Sequence, residues 1–242
     1  MRFIVFSDVH GNVEALERVL EEAERLRPDM IVSLGDVVGY GANPNECIAL
    51  VQEAALIRIG GNHDVAAAGI IDTDTFNSTA QKAIRWTSRE ILPRHRDALT
   101  EYDTVRRWED CIFAHASPCS PMDWEYVYTI AQANAIFEKV QERFIFIGHT
   151  HVPAIIEHCG ARGSKVVSGT FQTVAPQSRY LVNVGSIGQP RDGIAAASFA
   201  LLDAKKGTIT IRRVPYDVRL AQEKIRNVGL PESLAERLAT AR

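Results

Sequence analysis

Cysteine is scarce and spent without pattern. Cys47, Cys111, Cys119 and Cys159 stand apart, with no C-x-x-C pair. That excludes a disulfide scaffold or thiolate zinc site and fits reduced thiols in a cytoplasmic protein. Long apolar runs are missing too: no stretch approaches the ~18 apolar residues of a membrane helix, so no membrane partner is expected. The apolar start Phe3-Ile4-Val5-Phe6 runs into Ser7-Asp8 and is too short for a signal-peptide core. Strong charge of one sign is also absent. A net charge of −3 over 242 residues leaves no global basic field, which disfavours a nucleic-acid polymer as partner. With 46% hydrophobic and 24% charged residues, nothing reads as disordered, fibrous or repetitive. The length suffices for one large domain, and no linker interrupts it.

What is present alternates. The strand pattern Phe3–Phe6 leads into helical spacing of Val13, Leu16, Val19, Leu20, Ala23 and Leu26, stopped by Pro28. Met30–Leu34 is a second buried strand. Asn43 and Glu46 predict a capping box with Pro44 in the first turn, and Leu56–Ile59 reads as a third strand. Strand–helix–strand alternation implies a parallel sheet. A helix over Phe76–Leu92, strands at Cys111–Ala114 and Phe144–Ile147, and a helix over Ile130–Val140 follow. After Val152 strands come in succession: Ala154–Glu157, Arg179–Val184, Ala196–Leu202 and Thr208–Val214. That texture predicts a second, largely antiparallel sheet. Two short helices close the chain as an extension over about 217–242. Its Leu230-Leu234-Leu238 stripe could dock on the body or on another subunit, which leaves a homodimer open.

Five of the seven histidines fall in short polar clusters, each directly after a predicted strand: Asp8-Val9-His10, Gly35-Asp36, Gly60-Gly61-Asn62-His63-Asp64, His115 and Gly148-His149-Thr150-His151. Carboxyl ends of parallel strands converge on one sheet edge, where ligands usually bind. Imidazole mixed with carboxylate suits divalent transition metals rather than the all-oxygen shell of Ca²⁺. One carboxylate can bridge two cations, and Asp36, alone in its cluster, is the natural bridge. In Asp8-x-His10 and His149-x-His151, residues two apart on extended backbone point the same way. By chance D-x-H should occur about 0.4 times, G-H-x-H roughly 0.01 times and G-N-H-D below about 0.001 times. Singly, each residue has an ordinary reading as a cap, a turn or a core histidine. Together they resist it, because burying several imidazoles and two carboxylates on one edge is costly without a cation. His95 and His158 lie outside the clusters and read as surface residues.

The ordered series D-x-H, G-D, G-N-H-D, H, G-H-x-H resembles the calcineurin-like metallophosphoesterase superfamily from Asp8 to His151, with a general likeness to about Val214. It looks most like compact bacterial members related to the YfcE-type phosphodiesterases and the diadenosine-tetraphosphatase branch. The resemblance implies an α/β fold of two mixed β-sheets packed as a sandwich and flanked by helices. It implies two divalent transition-metal ions, Mn first and Fe, Ni, Zn or Co as others. One would be held by Asp8, His10, Asp36 and His151, the other by Asp36, Asn62, His115 and His149. It further implies a hydroxide bridging the cations that attacks phosphorus in line. His63 takes the place of the family's catalytic histidine at the leaving oxygen, and Asp64 that of a carboxylate orienting its neighbours.

One stretch departs from the family. Where the phosphatase branches carry x-V-D-R-G after G-D, this chain has Gly39 and Tyr40 in place of the Asp-Arg pair. Either another cation then helps to hold the substrate, or the metals do it alone. Arg191, in Gly185-Ser186-Ile187-Gly188-Gln189-Pro190-Arg191, is the candidate cation; Tyr40 and Asn77 could line the pocket, with a structural role the better reading for Asn77. The expectation is therefore a cytoplasmic hydrolase of small phosphorylated substrates, as mono- or diesters. A nucleotide-polyphosphate hydrolase or serine/threonine protein phosphatase is weakened by Tyr40, and a nuclease by the charge balance. An inactive scaffold of the same fold is the alternative of another class. Loops around Asp72–Asn77 and Pro118–Tyr128 are expected to decide the substrate.

Overall fold

The computed structural model describes residues 1–167 and 169–242. The first strand, β1 (Arg2–Phe6), sends alternate side chains to opposite faces: Ile4 and Phe6 toward helices, Phe3 and Val5 toward a second sheet. Helix α1 (Val13–Leu26) starts where the Asn12 side chain accepts the Ala15 N–H at 3.1 Å. Next come β2 (Met30–Ser33), α2 (Pro44–Ala54) and the two-residue β3 (Ile57–Arg58), with β1–β2 and β2–β3 parallel. The capping box expected at Asn43 does not form. Asn43 Nδ2 instead donates to the Glu46 carboxylate at 3.2 Å, so neither side chain serves the backbone N–H groups of the first turn.

Three helices follow: α3 (Asn62–Ala67), α4 (Ser78–Glu90) and α5 (Pro93–Thr100). Placing His95 on the surface is wrong. On α5 it is buried, its Nδ1 2.8 Å from Asn45 Oδ1, and this contact ties α5 to the start of α2. Then β4 (Val105–Trp108), β5 (Cys111–Ala114), α6 (Ile130–Lys139) and β6 (Phe144–Ile147) lay down a second parallel pair, β5–β6.

The later strands are β7 (Ala154–His158), β8 (Ser164–Val166), β9 (Phe171–Thr173), β10 (Arg179–Asn183), β11 (Ala197–Asp203) and β12 (Thr208–Val214). His158, on β7, is half-buried and stacks on Phe137 rather than standing free. These strands do not form a sheet of their own, contrary to the pattern-based expectation. β11 runs antiparallel to β1, while β10 runs parallel to β6 and antiparallel to β7. Each satisfies the unpaired N–H and C=O groups along the edge of an existing parallel set. Among the described residues this gives two mixed sheets of six strands, ordered β3-β2-β1-β11-β12-β9 and β4-β5-β6-β10-β7-β8.

Between the sheets lies an apolar layer that includes Phe3, Val5, Phe113, Phe146, Val182 and Leu202. Helices α1 and α2 cover one outer face and α6 the other. The tail forms α7 (Val218–Asn227) and α8 (Glu232–Thr240). Leu230, Leu234 and Leu238 are buried there against Tyr40, Ala80 and Ala83, so the leucine stripe docks on the chain's own body. Among the described residues, no helix is long and apolar enough to cross a membrane.

Candidate metal centre

The loops leaving β1, β2, β3, β5 and β6 bring their polar clusters to one place. Asp8, His10, Asp36, His115, His149 and His151 are each no more than 6% exposed. The ligand-capable atoms of Asp8, His10 and His151 lie within 4.8 Å of one another, as do those of Asp36, His115 and His149. His10, Asp36 and His63 form a third such group. Asp36 Oδ2 stands between the two sides, 3.6 Å from His10 Nε2 and 3.4 Å from His115 Nε2. Its other oxygen accepts the His63 backbone N–H at 2.8 Å.

Backbone carbonyls orient three of the imidazoles. His10 Nδ1 meets Val38 O at 3.1 Å, His151 Nδ1 meets Gln189 O at 2.6 Å, and His115 Nδ1 meets Leu34 O at 2.9 Å. A carbonyl only accepts, so each Nδ1 carries the hydrogen and each Nε2 turns a lone pair inward. Yet His10 Nε2 and His151 Nε2 lie 3.1 Å apart, and His115 Nε2 lies 3.0 Å from His149 Nδ1. Facing lone pairs at that distance repel unless a proton or a cation sits between them.

Other atoms tell the same story. Asp8 Oδ1 and Asn62 Oδ1 are buried acceptors without a hydrogen-bond partner. Burial opposes charge on His115, but the carboxylates of Asp36 and Asp8 outweigh it and push the imidazole up to about 9. The carboxylates thus gather positive charge when only a proton is at hand. Burial would raise the Asp36 carboxyl too, but His115 and His63 hold it well below the usual range. Nitrogen and oxygen donors, an inward set of lone pairs and orphaned acceptors fit divalent cations.

His63, 4% exposed, lies edge-on to His10, Tyr40 and Phe76, and its Nδ1 has no partner. Burial lowers its pKa to about 4. Asp64 does what a supporting carboxylate should, accepting the N–H groups of Val38 at 3.1 Å and Gly61 at 3.0 Å. Burial and the nearby Asp36 charge raise its carboxyl to about 7. At Gly61 a Cβ would lie 2.1 Å from Asp36 Oδ1, so only glycine lets this turn approach the carboxylate.

The centre opens into a cavity of about 580 Å³ lined by Asp36, Asn62, His63, His149 and His151. Tyr40 and Arg191 share a wall of it, the Arg191 Cζ 6.0 Å from the Tyr40 ring centroid. Asn77 is among the lining residues, but its side chain serves the structure by capping α4, accepting the Ala80 N–H at 3.0 Å. Ile71 to Asn77 and Met122 to Tyr126 contribute the rest of the lining, where specificity loops were expected. Sequence reading missed three supports: Asn183, which holds Gly148 O and Thr150 Oγ1; Ser186, which donates to Asp8 O; and Gln189. Nothing local marks these as functional, because each acts on a loop distant in sequence.

The calcineurin-like phosphoesterase superfamily domain matches residues 1–207. An uncharacterized protein of Methanocaldococcus jannaschii is 37% identical over 242 residues, covering 98% of this chain and 97% of its own. A metallophosphoesterase from Sphaerobacter thermophilus has the same fold with a TM-score of 0.88. It is 38% identical, and the match covers 100% of this chain and 99% of that one. A hypothetical protein from Pyrococcus horikoshii OT3 aligns with a TM-score of 0.82 at 21% identity, covering 100% and 98%, a likeness of fold alone.

Proposed function

The chain belongs to the calcineurin-like phosphoesterase superfamily and is a phosphoesterase, and on that premise we propose that it uses a dinuclear metal centre to hydrolyse phosphate mono- or diesters of small molecules. One observation carries the reading: Asp36 Oδ2 stands between two buried groups, 3.6 Å from His10 Nε2, which gathers with Asp8 and His151, and 3.4 Å from His115 Nε2, which gathers with His149. Asp8, His10, Asp36 and His151 would hold one cation, and Asp36, Asn62, His115 and His149 the other. Mn²⁺ heads the candidates for this mixed nitrogen and oxygen set. When bound, such cations supply Lewis-acid charge neutralisation and make water acidic enough to serve as a nucleophile near neutral pH.

The remaining work falls to side chains. His63 lines the cavity beside Asp36, so it is placed to donate a hydrogen bond to the leaving oxygen and stabilise its charge. Arg191 supplies the cation that the Gly39-Tyr40 loop lacks, and Tyr40 carries it on its ring. The cavity is of small-molecule size. A cytoplasmic location belongs to the same reading and is supported by the four unpaired cysteines.

Hydrolysis of p-nitrophenyl phosphate beside bis-p-nitrophenyl phosphate, in Mn²⁺, Ni²⁺, Zn²⁺ and Mg²⁺, tests the proposal. We expect turnover that requires a transition metal, disappears in Asp36→Asn and falls about 10²–10⁴-fold in His63→Ala. A folded, metal-loaded protein that cleaves neither ester would sink it.

A further inference from the structure

Beside the candidate metal centre lies a group of side chains made almost entirely of hydrogen-bond donors. Gln189, 1% exposed, offers its Oε1 to Arg191 Nη2 at 3.1 Å and to Arg237 Nη1 at 3.3 Å. Its own Nε2 is buried without a partner, and so is Arg191 Nε. Among the described residues no carboxylate forms an ion pair with either arginine, whereas Arg213, on β12, is paired with Asp192. Two guanidinium groups therefore share one neutral amide oxygen. Burial and the Arg191 charge both push the Arg237 guanidinium down.

The arrangement is built rather than accidental. Gln189 is held by its own backbone, since its N–H donates to Ser186 Oγ at 2.8 Å and its carbonyl accepts from His151 Nδ1. The Arg191 N–H donates to His151 O at 3.2 Å. Arg237 arrives from α8, which the buried Leu234 and Leu238 fix against Tyr40, and Gly193 N–H bonds Ala241 O at 2.9 Å to close the end of the chain onto this loop. Like charges brought together on one neutral acceptor cost energy that an anion would return.

We propose that Gln189, Arg191 and Arg237 form an anion subsite that receives a second phosphate group of the substrate, next to the phosphate held at the metal centre. The inference rests on the phosphoesterase reading above and names its substrate class: small esters that carry a further phosphate. A phosphate suits the subsite better than a carboxylate does. Its charge approaches that of two guanidiniums in magnitude, and its three terminal oxygens can accept from both arginines at once, with Gln189 holding the pair together.

The test uses the full chain with its bound metal and two ligands, propyl phosphate and propane-1,3-diol bisphosphate. Binding is followed by calorimetry and hydrolysis by phosphate release. The wild type should bind the bisphosphate at least about tenfold more tightly, with the preference expressed in KM. Arg237→Gln should bring the two ligands to within about twofold of each other, and Arg237→Lys should retain part of the preference. Arg219→Gln, which removes an exposed charge from α7 of the same extension, should keep it in full. No preference in the wild type, or one unchanged in a folded Arg237→Gln protein, overturns the subsite and leaves the phosphoesterase reading intact. Arg237-dependent binding of the bisphosphate with neither ester cleaved would keep the subsite and remove that reading.

Discussion

Asp8, His10, Asp36, His149 and His151 all hold positive φ, between 49° and 66°, a region that non-glycine residues seldom occupy. Each such residue costs on the order of 1–3 kcal/mol and persists only where its surroundings over-determine it. Here the surroundings are backbone bonds such as Asp8 N–H to Gly35 O at 2.9 Å and His10 N–H to Asp36 O at 2.8 Å. Gly39, which stands where the phosphatase branches carry Asp, is fixed as glycine by the conformation of its own loop. Its φ is +131°, and a Cβ there would lie 2.6 Å from His63 Nδ1 and 2.9 Å from His10 Nδ1. Gly39→Ala should therefore cost about 1–3 kcal/mol in urea unfolding and displace both imidazoles, lowering turnover. Wild-type stability and activity in that variant would show that the loop yields freely. His115 carries a pH prediction. With its pKa about 9 in the metal-free protein, it is protonated at pH 7, and a bound cation must expel that proton. Calorimetric heats of Mn²⁺ binding should then vary with the buffer's ionisation enthalpy at pH 7, and less steeply above pH 9. A heat independent of buffer at pH 7 would contradict this.

At the scale of elements, the carboxyl-terminal helices are part of the body. Leu234 is fully buried on α8, whereas Leu220 on α7 is 41% exposed. Leu234→Ala should destabilise the protein by about 2–5 kcal/mol and Leu220→Ala by under about 1 kcal/mol, read from denaturant midpoints. Equal effects would mean that α8 packs only loosely. Because α8 also covers Tyr40, loosening it should disturb the Arg191 wall of the cavity. The short strands show where element patterns mislead. β3 keeps only Ile57 and Arg58 because Leu56 is 65% exposed and Ile59 makes no more than an isolated bridge to Asp103.

For the molecule as a whole, the two sheets share one apolar layer, and strands distant in sequence complete each of them. Neither sheet can separate without exposing that layer, so the full chain should melt in a single calorimetric transition whose van't Hoff and measured enthalpies agree. Two resolved transitions would mark the tail or one sheet as an independent unit.

The candidate residues were legible in the sequence, because the side chains able to ligate a metal (His, Cys, Asp, Glu and, more weakly, Asn) are the same types whatever surrounds them. Short motifs after apolar runs therefore located Asp8, His10, Asp36, Asn62, His63, His115, His149 and His151 before any fold was known. The alternation of β1, α1, β2 and α2 was legible for a similar reason, since burial on one face imposes its period locally. Partnership was not. Strand patterns state that β10 and β11 exist but not which edge each joins, since backbone hydrogen bonding is the same for every strand. Likewise, nothing local could say that His95 is buried, that the leucine stripe of α8 meets Tyr40, or that Arg237 comes to rest on Gln189. Contacts between residues 48 positions apart depend on how the chain closes on itself, and only the tertiary structure decides that.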